Sequence, residues 1–213
     1  MIGKQVLELG FGPGYDALTC LQNGADYYGI DITPENIGRT KKHLSICGYD
    51  PKIILSDAEN LPFASERFDI VFSNGVLHHT PDIMKAFAET YRVLRRGGSF
   101  FVIVYHRNSL IYRVSSVLSA RLEGTPVRDR LRHLEANVAG ETPIVNVYSR
   151  RELSRMLSDT GFSVRSIKTR KLVWEDMPLQ GRKLTPLYRK LPRVFYSAFG
   201  RVVGWYIIGH GVK

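Results

Sequence analysis

A chain of 213 residues with 44% hydrophobic and 23% charged residues has the size and balance of one globular domain that buries a core without staples. Two cysteines, Cys20 and Cys47, exclude a disulfide framework and point to a reducing, cytoplasmic compartment. No apolar run is long enough to span a membrane, Met1 leads into a patterned strand rather than a signal peptide, and the net charge of +10 is localised: residues 165–213 hold eleven Lys/Arg against Glu175 and Asp176.

Strand and helix patterns alternate along the chain. "KQVLELG" reads as a buried strand and Tyr15 to about Asn23 as a helix stopped by Gly24. "ADYYGIDI" is a second strand, after which Thr33 caps a helix with Pro34 at its first position and Gly48 past its end. Ile37, Leu44 and Cys47 fall near one face of that helix. "PKIILSD" and "RFDIVFSN" are the third and fourth strands. Pro81 and Asp82 open a helix whose Ile83, Phe87, Tyr91 and Leu94 repeat at helical spacing until Gly97–Gly98, and "SFFVIVY" is the fifth strand. Regularity lapses from about residue 107 to 147. It returns at Ser149, where "SRRE" is a capping box. "FSVRSIK" and "GWYIIGHGV" are the sixth and seventh strands.

This alternation predicts a parallel sheet with helices on both faces, in which ligands bind at the carboxyl ends of the strands. The unusual residues fall there: Gly10–Gly14 after the first strand, Asp31 after the second, Asp57 after the third, Ser73–His79 after the fourth, and Tyr105–His106 after the fifth. The glycines let the backbone approach a ligand, and Asp31 follows at the interval of a ribose-binding carboxylate. Together they argue for an adenosine-containing ligand.

Three details argue against a nicotinamide cofactor. A G-x-G-x-x-G/A match from Gly10 would need a small residue at Tyr15. Glu8 sits in an apolar strand, where an unpaired carboxylate is costly, and it suits an ammonium group. Asp57 and Ala58 can meet an adenine edge. A ligand with an amino acid, a ribose and an adenine satisfies all three: S-adenosyl-L-methionine.

The stretches "VLELGFGPG", "YYGIDIT", "SDAENLPFASERFDIVFSNGVLHHTPD" and "VLRRGGSFFV" resemble successive motifs of the class I S-adenosylmethionine-dependent methyltransferases, within the small-molecule group called type 11. The resemblance implies an α/β, Rossmann-like, seven-stranded and mostly parallel sheet whose last strand is antiparallel. It implies that Glu8, Gly10, Phe11, Gly12 and Gly14 cradle the methionine end. Asp31 would hold the ribose hydroxyls, with Ile32 against the adenine and Asp57 and Ala58 at its edge. Ser73 and Asn74 would floor the sulfonium, His79 matches the recurrent histidine of "LHH", and Asp69 is a structural acid. S-adenosyl-L-homocysteine is the implied product.

Methyl transfer to a hydroxyl or an acidic carbon is helped by a general base; His79, His106 and Tyr105 are the candidates. "SNGV" after the fourth strand is unlike the Asn/Asp-Pro-Pro-aromatic sequence of adenine, cytosine or glutamine-amide methyltransferases. His43 and Cys47 are only two groups, and no metal site is expected. The first strand begins almost at Met1; either the sequence is truncated or another segment takes the place of the helices that relatives carry before it, and 107–148 is the expected substitute, a lid within a single domain spanning 1–213. The basic, aromatic insertion at 169–201 could meet an anionic membrane surface or nucleic acid, and the leading expectation is a packed, solvated subdomain or a homodimer surface. A small-molecule acceptor is the leading expectation, ahead of transfer to tRNA or rRNA and of cofactor binding without catalysis.

Overall fold

A computed structural model describes residues 1–110, 113, 144–170, 198 and 200–213. Seven strands form one sheet: β1 (Gln5–Leu9), β2 (Asp26–Asp31), β3 (Lys52–Leu55), β4 (Phe68–Asn74), β5 (Leu94–Tyr105), β6 (Ser163–Arg170) and β7 (Tyr206–Val212). Their order is β3-β2-β1-β4-β5-β7-β6. Around them lie α1 (Tyr15–Gln22), α2 (Pro34–Ile46), α3 (Ile83–Val93), α4 (Arg150–Asp159) and a 3-10 turn at Leu77–His79. The pairs among β3, β2, β1, β4 and β5 are parallel. β7 runs antiparallel to β5, because Gly97 N–H donates to Lys213 O while His106 N–H donates to Trp205 O.

The chain divides into two compact units. The first comprises Met1–Ile103, Ser154–Ser166 and Gly209–Lys213, and the second Val104–Leu153 and Ile167–Ile208. Most of the expected lid at 107–148 (residues 111–112 and 114–143) and most of the basic insertion at 169–201 lie outside the described residues.

In the first unit, β1 is buried from Val6 to Leu9, as befits the centre of a parallel sheet. The strand order reverses at β1: β2 and β3 are added on one side of it, β4 and β5 on the other. That strand-order switch opens a crevice at the carboxyl ends. On α3, Ile83, Ala86, Phe87, Thr90 and Val93 form the buried stripe expected of an amphipathic helix. Phe87 meets Phe100 edge-on at 5.4 Å, and Phe162 joins both Phe100 and Tyr91. Asp82 caps α3 by accepting from Lys85 N–H at 3.1 Å.

Two boundaries differ from the helical spacing read in the sequence. α3 ends at Val93, and Leu94 already belongs to β5, where it pairs with Phe68; strand pairing overrides the periodicity. α2 ends at Ile46, so Cys47 is its exposed C-cap and Thr40 takes the buried place beside Leu44. Asp69 has the structural role expected of it. Its Oδ2 accepts from Gln5 N–H at 2.9 Å, and Lys4 and Arg95 pair with Oδ1. Although burial pulls its pKa upward, these partners hold it below the ordinary carboxylate range.

In the second unit, Val145 packs with Tyr105, Val147 and Trp205. The capping box is reciprocal: Ser149 N–H donates to Glu152 Oε2 at 2.7 Å, and Glu152 N–H donates to Ser149 Oγ at 3.2 Å. Arg107 bridges Glu152 and Val147 O. Ser149→Ala is expected to lower stability by about 1 kcal/mol, read from the shift of the urea midpoint; an unchanged midpoint would remove the cap from the account.

Candidate functional site

The ends of β1, β2, β3 and β4 surround a cavity of about 550 Å³, within the range of small-ligand and cofactor sites. The loop after β1 hangs on β2, since Gly10 N–H and Phe11 N–H both donate to Ile30 O. Gly10 adopts φ +78°, and a Cβ there would lie 2.4–2.8 Å from the side chain of Val76. Gly14, the N-cap of α1, stands at φ +80° with Thr40 Cγ2 2.5 Å from where its Cβ would be. Both positions therefore require glycine. Phe11 sends its ring into the core with Val6, Ala17, Tyr27 and Leu44, which anchors the loop and leaves its backbone at the cavity.

Asp31 is the organising carboxylate. Its Oδ2 accepts from Gly12 N–H at 3.0 Å and from Asn36 Nδ2 at 3.1 Å, while Oδ1 accepts from Thr33 N–H at 2.9 Å. Three donors leave one position open on a carboxylate with about four acceptor positions. α2 ties down the same loop: Thr40 Oγ1 donates to Gly12 O at 2.7 Å, and His43 Nδ1, which faces a carbonyl and so donates, meets Pro13 O at 3.1 Å. Thr33 makes no side-chain cap bond to α2.

Glu8 is 2% exposed, lines the cavity, and accepts from the Tyr27 hydroxyl through Oε2 at 2.7 Å. Burial pushes its pKa up to about 8, the Tyr27 hydrogen bond pulls against that, and nearby Asp16 and Asp31 raise it further. Asp57 Oδ1 accepts from Glu59 N–H at 2.9 Å. Glu59 Oε1 in turn accepts from Asp82 N–H at 2.7 Å, and Leu61 N–H donates to Glu89 Oε2. The loop after β3 is thereby pinned to α3.

The structure brings Glu8, Gly10, Phe11, Gly12, Asp31, Ile32, Asp57, Ala58, Asn74 and His79 to one cavity. Ile32 is 70% exposed and offers an apolar surface. Asn74 donates from Nδ2 to Asp16 Oδ2 at 2.8 Å, and both residues line the cavity. Gly14 and Ser73 are not among the lining residues; Ser73 is buried, with Oγ donating to Leu9 O at 3.1 Å.

Of the three base candidates, only His79 lines the cavity. Tyr105 and His106 belong to the second unit. There His106 is 4% exposed, and its Nδ1–H donates to Gly204 O at 3.0 Å. Burial holds its pKa below the ordinary histidine range, against the upward pull of that bond. Its strand-end position suggested a base, whereas its bonding is that of a histidine built into the fold.

Sequence reasoning missed Tyr27, Asn36, Thr40, Asp16 and Glu59. Thr40 had a signal: it is a polar residue between Ile37 and Leu44 on the apolar stripe of α2. Among the described lining residues stand four carboxylates, Glu8, Asp16, Asp31 and Asp57, and no Lys or Arg. Such a lining favours a ligand with positive charge and hydroxyl donors.

The fold and the cavity at its strand ends match the arrangement that the methyltransferase resemblance implies. Residues 7–102 match the family model described as "Methyltransferase domain". The chain is 38% identical over 128 residues to a phthiotriol/phenolphthiotriol dimycocerosates methyltransferase of Mycobacterium tuberculosis, covering 59% of this chain and 45% of the relative. It is 36% identical over 100 residues to an arsenite methyltransferase of Halobacterium salinarum, covering 45% of this chain and 26% of that one. The chain thus spans under half the length of these curated relatives. A S-adenosylmethionine-dependent methyltransferase of Aquifex aeolicus superposes with a TM-score of 0.60 at 15% identity, over 99% of this chain and 82% of the other; that likeness shows the fold.

Proposed function

We propose that the protein transfers a methyl group from S-adenosyl-L-methionine to an oxygen, nitrogen or carbon of a small molecule in the cytoplasm. The observation that carries this reading is the cavity: among its described lining residues stand four carboxylates and no Lys or Arg, around a loop that only glycine can build. The bound cofactor supplies an electrophilic methyl on a sulfonium. Glu8 faces the ammonium, and Gly10, Phe11, Gly12 and Gly14 shape the methionine end. Asp31 accepts from the ribose through the one acceptor position its three donors leave. Ile32 packs on the adenine, Asp57 and Ala58 meet its edge, and Ser73 and Asn74 support the floor. Alignment of the acceptor for in-line attack supplies much of the rate, on the order of 7–11 kcal/mol in favourable cases.

His79 is assigned as the group that takes or orients the acceptor's proton. His79→Gln should lower kcat by on the order of 10²-fold while changing the Kd for S-adenosylhomocysteine less than about threefold, a change under roughly 0.7 kcal/mol. Equal losses in both would make His79 a binding residue only.

The small-molecule reading is supported by the lining chemistry and by relatives named for such acceptors. Transfer to RNA is the second reading, favoured by the basic residues of 165–213. Incubation with methyl-tritiated cofactor separates them. Label is expected in a small-metabolite extract and not in bulk tRNA. Label in tRNA alone would support the second reading, and cofactor binding without transfer to either would leave a binding protein.

A further inference from the structure

Glu8 is a carboxyl group inside a central strand, and its surroundings are as informative as its position. Directly across the ladder from it stands Gly29, which has no side chain to fill the space. Into that space reaches the hydroxyl of Tyr27, the diagonal neighbour two residues back on β2. A Cβ at Gly29 would lie 2.6 Å from Tyr27 Oη and 2.7 Å from Phe11 Cδ1. The ring of Tyr27 is itself buried in the core, so its hydroxyl has a fixed place. Glu8 Oε2 is committed to that hydroxyl, and Oε1 is the oxygen left for the cavity.

The other groups facing Glu8 do not neutralise it. Asp31 from β2 and Asp16 from α1 are acids that disfavour its charge. α1 also contributes the neutral thiol of Cys20, whose pKa burial raises to about 11. β4 places Phe72 across the ladder, while His79 and Asp57 lie elsewhere on the same cavity. A buried carboxyl among acids, with one neutral donor, is most stable when protonated.

We propose that Tyr27 is a positioning residue for the cofactor: its hydroxyl holds Glu8 with one oxygen toward the cavity, and the Glu8 carboxyl releases its proton to solvent as the cofactor's ammonium arrives. The inference rests on the cofactor reading given above. The balance is simple: the O–H bond of the Glu8 carboxyl breaks, the proton leaves to buffer, and the carboxylate then accepts from both the ammonium and Tyr27. Tyr27 keeps its own proton, since burial and then the Glu8 charge push its pKa far up.

The sign of the pH dependence follows. In the empty protein Glu8 is protonated up to about pH 8, and binding needs the carboxylate. Affinity therefore rises with pH, by roughly tenfold per unit at one proton released, and levels off above that value. The Tyr27 bond favours the carboxylate, so its removal moves the profile to higher pH.

Calorimetric titration with S-adenosylhomocysteine near neutral pH, in phosphate and in Tris, reads the proton directly. The wild type is expected to release close to one proton, Glu8→Gln none, and Tyr27→Phe is expected to bind with its affinity profile displaced upward. Where Tyr27→Phe does not fold, 3-fluorotyrosine at position 27, a stronger donor of the same shape, must displace the profile downward. Binding by the wild type with buffer-independent heat would overturn the proton release, and an unmoved profile in the Tyr27 proteins would overturn its positioning role. Absent binding by the wild type is a different failure, that of the cofactor reading itself.

Discussion

Asp31→Ala should weaken binding of S-adenosylhomocysteine by on the order of 10- to 100-fold, because it removes a charge-assisted hydrogen bond to the ribose at about 1.5–3 kcal/mol. The effect has a second source in the protein. Gly12 N–H, Thr33 N–H and Asn36 Nδ2 all donate to this carboxylate, so the variant leaves the loop after β1 and the start of α2 without their shared acceptor. Asp31→Asn is not a mild alternative. Oδ2 accepts from two donors at once and Oδ1 from a third, and an amide must turn an NH₂ toward at least one of them. Both variants are expected to lower the melting temperature and the affinity together, measured by scanning calorimetry and titration. An Asp31→Ala protein that binds as tightly as wild type would detach the ribose role from this residue.

Gly10→Ala should be the most damaging single methyl in the cavity wall. The φ of +78° costs an L-residue about 1–2 kcal/mol. The new Cβ would also lie within 2.8 Å of three atoms of Val76, an overpacking of about 1–3 kcal/mol. Against a typical domain stability of about 5–15 kcal/mol, that is a large fraction. The two contributions are partly separable: adding Val76→Ala removes Cγ1 and Cγ2 but keeps Cβ at 2.8 Å and leaves the dihedral unchanged, so the double variant should recover part, and less than half, of the lost urea midpoint. Full recovery would mean that the left-handed conformation is not a constraint, and no recovery would mean that Val76 is not the obstacle.

The fold was legible because its strands are central and buried, and they announce themselves as apolar runs. β1, β2, β4 and β7 fall where "KQVLELG", "ADYYGIDI", "RFDIVFSN" and "GWYIIGHGV" suggested. The capping box at Ser149 and the Asp82 cap were legible for the same local reason, a side chain meeting a backbone three residues on. Leu94 was misread because its spacing extends the α3 stripe, although its pairing with Phe68 is long-range and leaves no mark in the local sequence.

The site was legible in its first layer and not in its second. Glu8, Asp31 and Asp57 stand out as carboxylates at strand ends, and the loop glycines stand out as a cluster. Tyr27 does not, because an aromatic in a buried strand looks like core until the register sets Gly29 opposite Glu8. Asn36 and Glu59 are polar residues on a helix and a loop, whose bonds to Asp31 and Asp82 depend on how separate segments meet. His106 shows the opposite error, in which a suggestive strand-end position is occupied by a histidine bonded to Gly204 O.

The most direct test of the account is titration of the wild-type chain with S-adenosylhomocysteine, followed by calorimetry and by the melting temperature. One saturable site and a rise in melting temperature with ligand concentration are expected, as mass action requires of a ligand that binds the folded state. No heat of binding and no shift at saturating ligand would contradict it.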